Sequence, residues 1–476
     1  MKTPIQDFLL SHVARKAISY HMPGHKGSEI YKRFGYTGFL ENFMDCDVTE
    51  IPGADNLFQA ESIIKESQDR YARLYGAKKS YLLINGTSGG IIAAILASVP
   101  KGKKLVMARN CHKSVFNALT LADIQPVYAY PDMIEEYGIS GEISPEQIDK
   151  LLAANPDAEA VILPSPNYYG ICSNTEKIAQ IVHKYGKVLI IDEAHGAHLT
   201  FFNQHGIKDM PKSAGNSNAD IVIKSTHKTL ASFTQSAVIS LYSDRVDHYL
   251  LEDKLQCIES TSPSYVLMTS LDINASIIEE HGKQIFVEWA DNLNYFYENA
   301  KKIEGLKIID KMENLDWTKL NFSLGELGIN GAELEEILSS KYGILIELYT
   351  GDVVMCMTGI GNTKEHIVKL VDALAEIAKE RRADKTASKT EKKAVQLIVP
   401  KQAELFEIPK YKKRVLLSEA VGQICASSII PYPPGIPLIC PGEKLDAETV
   451  EYVKTLRELG EKVIGVNEQG EIFVGA

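Results

Sequence analysis

The stretch KVLIIDEAHGAH, Lys187–His198, is a short apolar run that stops on two acids, Asp192 and Glu193. Its apolar part is too brief for a helix and reads as a strand buried on both faces. Asp192 then stands at the carboxyl end of that strand. The flanking sequence repeats the design. Toward the amino terminus, TEKIAQIVHKYG reads as a helix, AVILPS as a strand, SPEQIDKLLAA as a helix and PVYAY as a strand. Before these come helix HKSVFNALTLA, strand KLVMA, helix GGIIAAILASV, strand SYLLI and the amphipathic helix ESIIKESQDRYARLYGA. Toward the carboxyl terminus, DIVIKS is the next strand. Strand and helix taking turns predicts an α/β fold, a mostly parallel sheet with helices on both faces. Such sheets bind ligands beyond the carboxyl ends of their strands, which is where Asp192 falls.

The rest of the chain is organised around this block. Residues 1–60 are rich in Gly, His, Phe and Asp and read as an arm with short helices. The large domain is expected over 61–305, mainly helical beyond about 246. Residues 306–380 mix strands (LKIID, KLNFSL, ILIELY, VVMCMT) with helices (GAELEEILSSKYG, TKEHIVKLVDALAEIAKE), which suits a smaller α/β domain. The charged segment KERRADKTASKTEKKA reads as a helix end followed by an exposed linker, 381–395. A C-terminal α+β module over 396–476 closes the chain, with helix LSEAVGQ, a Pro-rich stretch and helix DAETVEYVKTLRELG.

Composition narrows the class of function. The 476 residues are 45% hydrophobic and 24% charged, ordinary for a globular protein. A net charge of −11 disfavours nucleic acid and anionic membrane as partners. Seven scattered cysteines without a CxxC pair argue against a disulfide framework and against a metal site. The N-terminal apolar run is broken by charges, and the longest apolar stretch, Ile91–Val99, is too short to span a bilayer. A cytoplasmic protein is expected.

Three local signals carry chemistry. INGTSGG, Ile84–Gly90, follows a strand and opens a helix. Gly86, Gly89 and Gly90 would let the backbone approach a ligand, while Thr87 and Ser88 offer hydroxyls and amides at a helix N-terminus that favours an anion. It lacks the Lys of a Walker loop, and a plain capped turn is the alternative. Asp192 can keep a pyridine nitrogen protonated, with Ala194 small enough for a flat ring; a helix cap is the alternative. His195 and His198 are acid–base candidates or packed histidines. STHK, Ser225–Lys228, places a lysine at a strand end. Lys228 can form a Schiff base if its surroundings lower its pKa, with Ser225 and His227 as phosphate donors; a surface lysine is the alternative. Together, a phosphate cup, an acid and an amine on one sheet suit a single ligand, pyridoxal 5'-phosphate. The set fits the large domain of fold-type-I enzymes that use it.

At these residues the chain resembles the ornithine/lysine/arginine decarboxylase family of that fold type. The resemblance extends through YHMPGHKG (20–27), DVTEIPGADNLFQAESIIKESQ (47–68), NGTSGG, RNCHKS (109–114), DEAHGAH, STHKTL, TSPSYVLMTSLD (261–272) and YPPGIPLICPGE (432–443), in order. It implies Lys228 as the cofactor-bonding lysine, Asp192 at the pyridine nitrogen and His112 stacked on the ring. It also implies Thr87, Ser88, Ser225 and His227 around the phosphate. Ser262–Tyr265, with Ser264 a substrate-side candidate, would reach toward a partner's cofactor, and Glu347 would recognise the substrate's tail. Lys228 or His227 would return a proton to Cα. Pro166-Asn167-Tyr168 stands where a Pro-Thr-Tyr turn is expected. The chain begins almost at the first block, without the wing domain of larger members, so a homodimer or tetramer is expected. The implied activity is decarboxylation of a basic L-amino acid, arginine favoured and giving agmatine and CO2. Lysine or ornithine is the alternative, with an aminotransferase, a lyase or a non-catalytic homologue behind.

Overall fold

The computed structural model describes residues 3–383, 406–432, 436–458 and 462–476. Its centre is a seven-stranded sheet: β1 (Lys79–Leu83), β2 (Lys104–Ala108), β3 (Gln125–Ala129), β4 (Ala158–Pro164), β5 (Val188–Asp192), β6 (Ile221–Lys224) and β7 (Ala237–Leu241). The order is β1-β7-β6-β5-β4-β2-β3. Strands β3, β2, β4, β5 and β6 run parallel, and β7 is antiparallel to both neighbours. Leu189, Ile190, Ile191, Ile221, Val222 and Ile223 are wholly buried, as expected for strands covered on both faces.

Helices seal each face with its own core. One core holds Ile91 and Ala94 of α1 (Gly86–Ser98), Val115 and Leu119 of α2 (Lys113–Ala122), and Ile148, Ile178 and Leu251. The other takes Tyr71, Phe201, and Phe286 and Trp289 of the long helix α3 (Tyr265–Ala300). Register sets the height of the functional edge. Pro164 pairs with Asp192, and Asp192 with Ile223, so the carboxyl ends of β4, β5 and β6 are level.

A second sheet of β8 (Lys307–Ile308), β9 (Lys319–Ser323), β10 (Leu348–Thr350) and β11 (Val353–Met357) is antiparallel, in the order β8-β9-β11-β10. The single strand expected over ILIELY is instead two pieces. Ile344–Leu345 leaves to pair in parallel with Ile18–Ser19 of the N-terminal arm, and Leu348–Thr350 joins the small sheet. Glu347 sits between them.

In the C-terminal module, β12 (Lys412–Leu416) and β13 (Ile430–Tyr432) pair with β15 (Glu471–Gly475) and β14 (Lys462–Ile464) respectively. Cys425, Ile429, Val453, Ile472 and Val474 form its core beside helix Ala447–Glu458. The helix expected over LSEAVGQ is only a 3-10 turn, Leu417–Glu419. Leu417 and Gly422 donate their amides to Gly470 and Leu445, which takes this backbone out of helical pairing. Most of the linker expected over 381–395, and the start of the module at 396, lie outside the described residues. Among the described residues no helix is long and apolar enough to cross a membrane.

Among the described residues, one buried side chain makes several hydrogen bonds to the module, and Cys440 of the module joins the large-domain core. Arg109, just past β2, is 1% exposed. It donates to the carbonyls of Pro437 (2.6 Å) and Leu438 (3.0 Å) and to Glu443 Oε2 (3.0 Å). The Phe116 and Tyr128 rings lie 5.6 and 5.3 Å from the guanidinium carbon.

Candidate active site

Two acid–lysine pairs stand at the ends of β5 and β6, and the fold separates their tasks. Glu193 and Lys224 are fully buried. Glu193 accepts from the Ala214 amide (2.7 Å) and Ser213 Oγ (3.0 Å) and lies 3.5 Å from Lys224 Nζ. The Lys224 ammonium rests 4.5 and 5.2 Å from the Tyr75 and Tyr242 ring centres. That pair is a fastening. Asp192 and Lys228 instead both line one cavity of about 510 Å³, a volume usual for a small-molecule site.

The same cavity is lined by Gly86, Thr87, Ser88, His112, Ala194, His195, Ser225, His227 and Glu347, so the structure brings together nearly every residue singled out from sequence. Ser264 is one exception. It does not line the cavity of its own chain, and its hydroxyl caps α3 by accepting from the Leu267 amide. His198 is also outside the cavity, fully buried, with Nε2 3.1 Å from Asp316 Oδ1.

The phosphate cup forms for reasons local to the sequence. Gly86 opens α1 at φ +67°, a conformation that favours glycine. Thr87 Oγ1 lies 3.1 Å from Ser225 Oγ, linking the cup to the end of β6. Gly89 and Gly90 correct the sequence reading, because neither lines the cavity. A Cβ on Gly90 would fall 2.5 Å from Leu83 Cδ1 and 3.1 Å from Ile223 Cγ2, and one on Gly89 would meet Ile258 and Asn85. Both glycines serve close helix packing. Behind the cup, Glu259 is 7% exposed and accepts from the Ile84 amide through Oε2, while Oε1 has no partner among the described residues.

At the acid end, Asp192 accepts one hydrogen bond, from the Ala194 amide to Oδ1 at 3.1 Å. Burial raises its pKa, and the Lys228 charge acts the other way. At the amine end, Lys228 Nζ lies 2.9 Å from His195 Nε2. Burial lowers the Lys228 pKa, with Asp192 and Glu347 opposing and Lys319 adding to the fall. The His195 ring packs 4.5 Å from Tyr168, and burial pushes its pKa well below the ordinary value. Its Nδ1 and the Oδ1 of Asn110, another lining residue, are buried without partners among the described residues.

His112 caps α2 by accepting the Ser114 amide, and burial drives its pKa down to about 3. His227 donates to the Ser236 carbonyl through Nδ1 at 2.8 Å. Burial lowers it to about 4, so the neutral ring leaves Nε2 an acceptor. The expected donation from His227 to a phosphate therefore needs the imidazolium form. Asn167 does serve its turn: Oδ1 accepts from the Tyr169 and Ile171 amides, and Nδ2 donates to Ser140 and Gly141.

Glu347 is not a surface charge. Its side chain is 5% exposed, and Oε2 takes the Met22 amide at 3.0 Å and His21 Nδ1 at 2.9 Å. Burial works to raise its pKa, but the His21 hydrogen bond prevails and holds the carboxyl below its ordinary value. His21, Met22, Asn110 and Tyr168 were not assigned a role from sequence, nor were Ile430, Ile436 and Ile464, which the C-terminal module lends to the wall. The Tyr20–Gly27 and Arg109–Ser114 blocks were the signal for the first three.

A phosphorylated pyridine aldehyde suits these residues. A helix N-terminus with hydroxyls, a buried acid with one backbone donor, a neutralised imidazole wall and an amine face one space. Comparison with known proteins agrees. The family model for the Orn/Lys/Arg decarboxylase major domain matches residues 3–322, and that for the C-terminal domain matches 383–470. Arginine decarboxylase of Bacillus subtilis (strain 168) is 30% identical over 467 residues, 95% of this chain and 93% of that protein. Arginine decarboxylase of Bacillus anthracis is 30% identical, covering 98% and 95%. Among solved structures, lysine decarboxylase LdcF of Francisella novicida shares the fold with a TM-score of 0.77 at 21% identity, over 95% of this chain and 78% of that one.

Proposed function

The chain belongs to the Orn/Lys/Arg decarboxylase family, whose members use pyridoxal phosphate to decarboxylate basic L-amino acids, and on that premise we propose that its substrate is arginine and that Lys228 bonds the cofactor. The observation that carries the site is the meeting of the Lys228 amine, the Asp192 carboxyl and the α1 N-terminus in one cavity. Gly86, Thr87, Ser88 and Ser225 would hold the phosphate, Asp192 the ring nitrogen, and His112 and Ala194 the ring faces. When bound, the cofactor supplies an electron sink for the pair left behind as the carboxylate departs.

The protein's own groups do the rest. Burial favours the uncharged amine of Lys228, the form that attacks a carbonyl. His195 Nε2, 2.9 Å away, lies within hydrogen-bond reach of the amine and holds it in place, which makes Lys228 the best-placed donor to Cα; His227, an acceptor at Nε2 while neutral, is second. The walls of Tyr168, Ile430 and Ile436 thin the water around the reacting groups. Glu347 offers a carboxylate to the substrate's cationic tail, and a guanidinium can engage it in a fork that an ammonium cannot. The names of two relatives that match nearly the full chain support arginine first. Lysine or ornithine is the second reading, because a carboxylate recognises a cation without fixing its shape.

Incubation with arginine, lysine and ornithine, with the amine product and CO2 measured, tests the order; CO2 from lysine alone would reverse it. Lys228→Ala is expected to lose both the visible absorbance of the lysine-bound cofactor and the activity, and an active alanine variant would refute the site.

A homodimer or tetramer in the cytoplasm belongs to the same proposal. Helix Pro4–Ala14 has no buried residue and exposes Ile5, Phe8, Leu9, Leu10 and Val13, which supports burial against another copy. Analytical ultracentrifugation tests it, and a monomer at micromolar concentration would refute it. The division at 60, 305, 380 and 395 is proposed with it.

A further inference from the structure

Behind the cavity wall, polar side chains from three segments are sealed from solvent. Asp316, Thr318, Lys319, His198 and Thr229 are all fully buried, and none lines the cavity. Asp316 Oδ2 accepts from Lys319 Nζ at 2.6 Å. Its Oδ1 accepts from Thr318 Oγ1 (2.7 Å), the Thr318 amide (3.1 Å) and His198 Nε2 (3.1 Å). His198 Nδ1 in turn lies 3.2 Å from Thr229 Oγ1, the residue after Lys228. Lys319 spends a second hydrogen bond, also 2.6 Å, on the carbonyl of His195.

A buried lysine–aspartate pair is weak evidence for stability, since apolar residues of the same size often do as well. Here the pair stands at the start of β9 of the small sheet and grips the loop that follows β5 of the large one, reaching Thr229 beyond β6 through His198. It ends one carbonyl away from the imidazole that meets Lys228 Nζ.

We propose that Lys319, anchored by Asp316, is a positioning residue for the cofactor-bonding lysine, fixing the His195 backbone and setting its ammonium behind the His195–Lys228 pair. The proposal rests on the assignment of Lys228 made above. Among the described residues, the charged and titratable groups that face Lys228 are Asp192, Glu347, Lys319, His195, His112, His227 and Tyr168, whose ring centre lies 5.8 Å from its Nζ. Asp192 and Glu347 favour the ammonium. Burial favours the free amine first, and Lys319 adds to it. For His195 burial again comes first, with Lys228 and then Lys319 acting the same way. A like charge that cannot move away disfavours a second charge next to it, so Lys319 enlarges the share of nucleophilic amine at neutral pH.

The test reads the apoprotein. Trace acetylation with acetic anhydride at pH 7, followed by peptide mass spectrometry, gives the labelling of Lys228 relative to the exposed Lys101. In Lys319→Met this ratio is expected to fall at least about threefold, and Lys319→Arg, which keeps charge and donors, is expected to restore it. The double variant Lys319→Met/Asp316→Asn leaves no buried carboxylate alone and is expected to show the same fall. Far-UV circular dichroism establishes folding. A folded single or double variant with wild-type labelling would overturn the proposal. So would collapse of both variants, which would make the pair a clamp between sheets and nothing more. No cofactor takes part, so failure here leaves the Lys228 assignment standing; that assignment fails instead in the spectrum of Lys228→Ala.

Discussion

Replacing Glu259 by Gln should stabilise the protein at pH 8 and leave it unchanged at pH 4.5. Glu259 ends the helix His248–Ile258 and backs the phosphate cup. Burial, only partly offset by the Ile84 and Asn85 amides, pushes its carboxyl up from 4.5 to about 7. Between those two values the folded chain holds a proton that the unfolded chain has released. Stability therefore falls as pH rises through that window and levels off above the folded value. A gap of that size corresponds to about 3 kcal/mol at most. Gln keeps an acceptor for the Ile84 amide and cannot ionise, so a gain of about 1–3 kcal/mol is expected at pH 8. Thermal melts of the apoprotein, wild type against Glu259→Gln, at pH 4.5, 6 and 8 measure it. A difference that stays constant across the three pH values would refute the reasoning, because only titration of this group makes the two curves diverge.

Arg109→Met would leave Glu443 buried without its cation and is expected to cost about 3–5 kcal/mol, seen in urea unfolding and in faster proteolysis of the C-terminal module. Gly90→Ala is expected to lose about 1–3 kcal/mol by overpacking against Leu83, read as a lower melting temperature with cofactor affinity little changed. Glu347→Gln should raise KM for the basic amino acid by about tenfold, the loss of one charge-assisted contact, with a smaller change in kcat; an unaltered KM would remove Glu347 from substrate recognition.

What was legible in the sequence is what depends on near neighbours. Val188–Ile191 and Ile221–Ile223 announce doubly covered strands because every residue in them is apolar. Asp192 and Lys228 fall at strand ends by simple counting. Glu193 and Lys224, one and four residues away, look equally chemical in the sequence, and only the burial of both against Tyr75 and Tyr242 removes them from the cavity. Gly89 and Gly90 illustrate the same limit. A glycine needed by a neighbouring Leu83 reads like a glycine needed by a ligand. Strand β7, Ala237–Leu241, has Ser240 in its otherwise apolar run, and pairing alone shows that it inserts antiparallel between β1 and β6. The Asp316–Lys319 knot left no local trace, since its partners come from residues 195, 198 and 229.

The isoleucines that finish the cavity wall leave the ribosome some two hundred residues after Lys228. During synthesis the lysine is thus expected to face the surrounding medium, open to any small aldehyde, until the terminal module seats itself on Arg109. Shelter for the amine arrives late, and a nascent chain stalled before Ile430 is expected to carry a reactive lysine without these isoleucines over it.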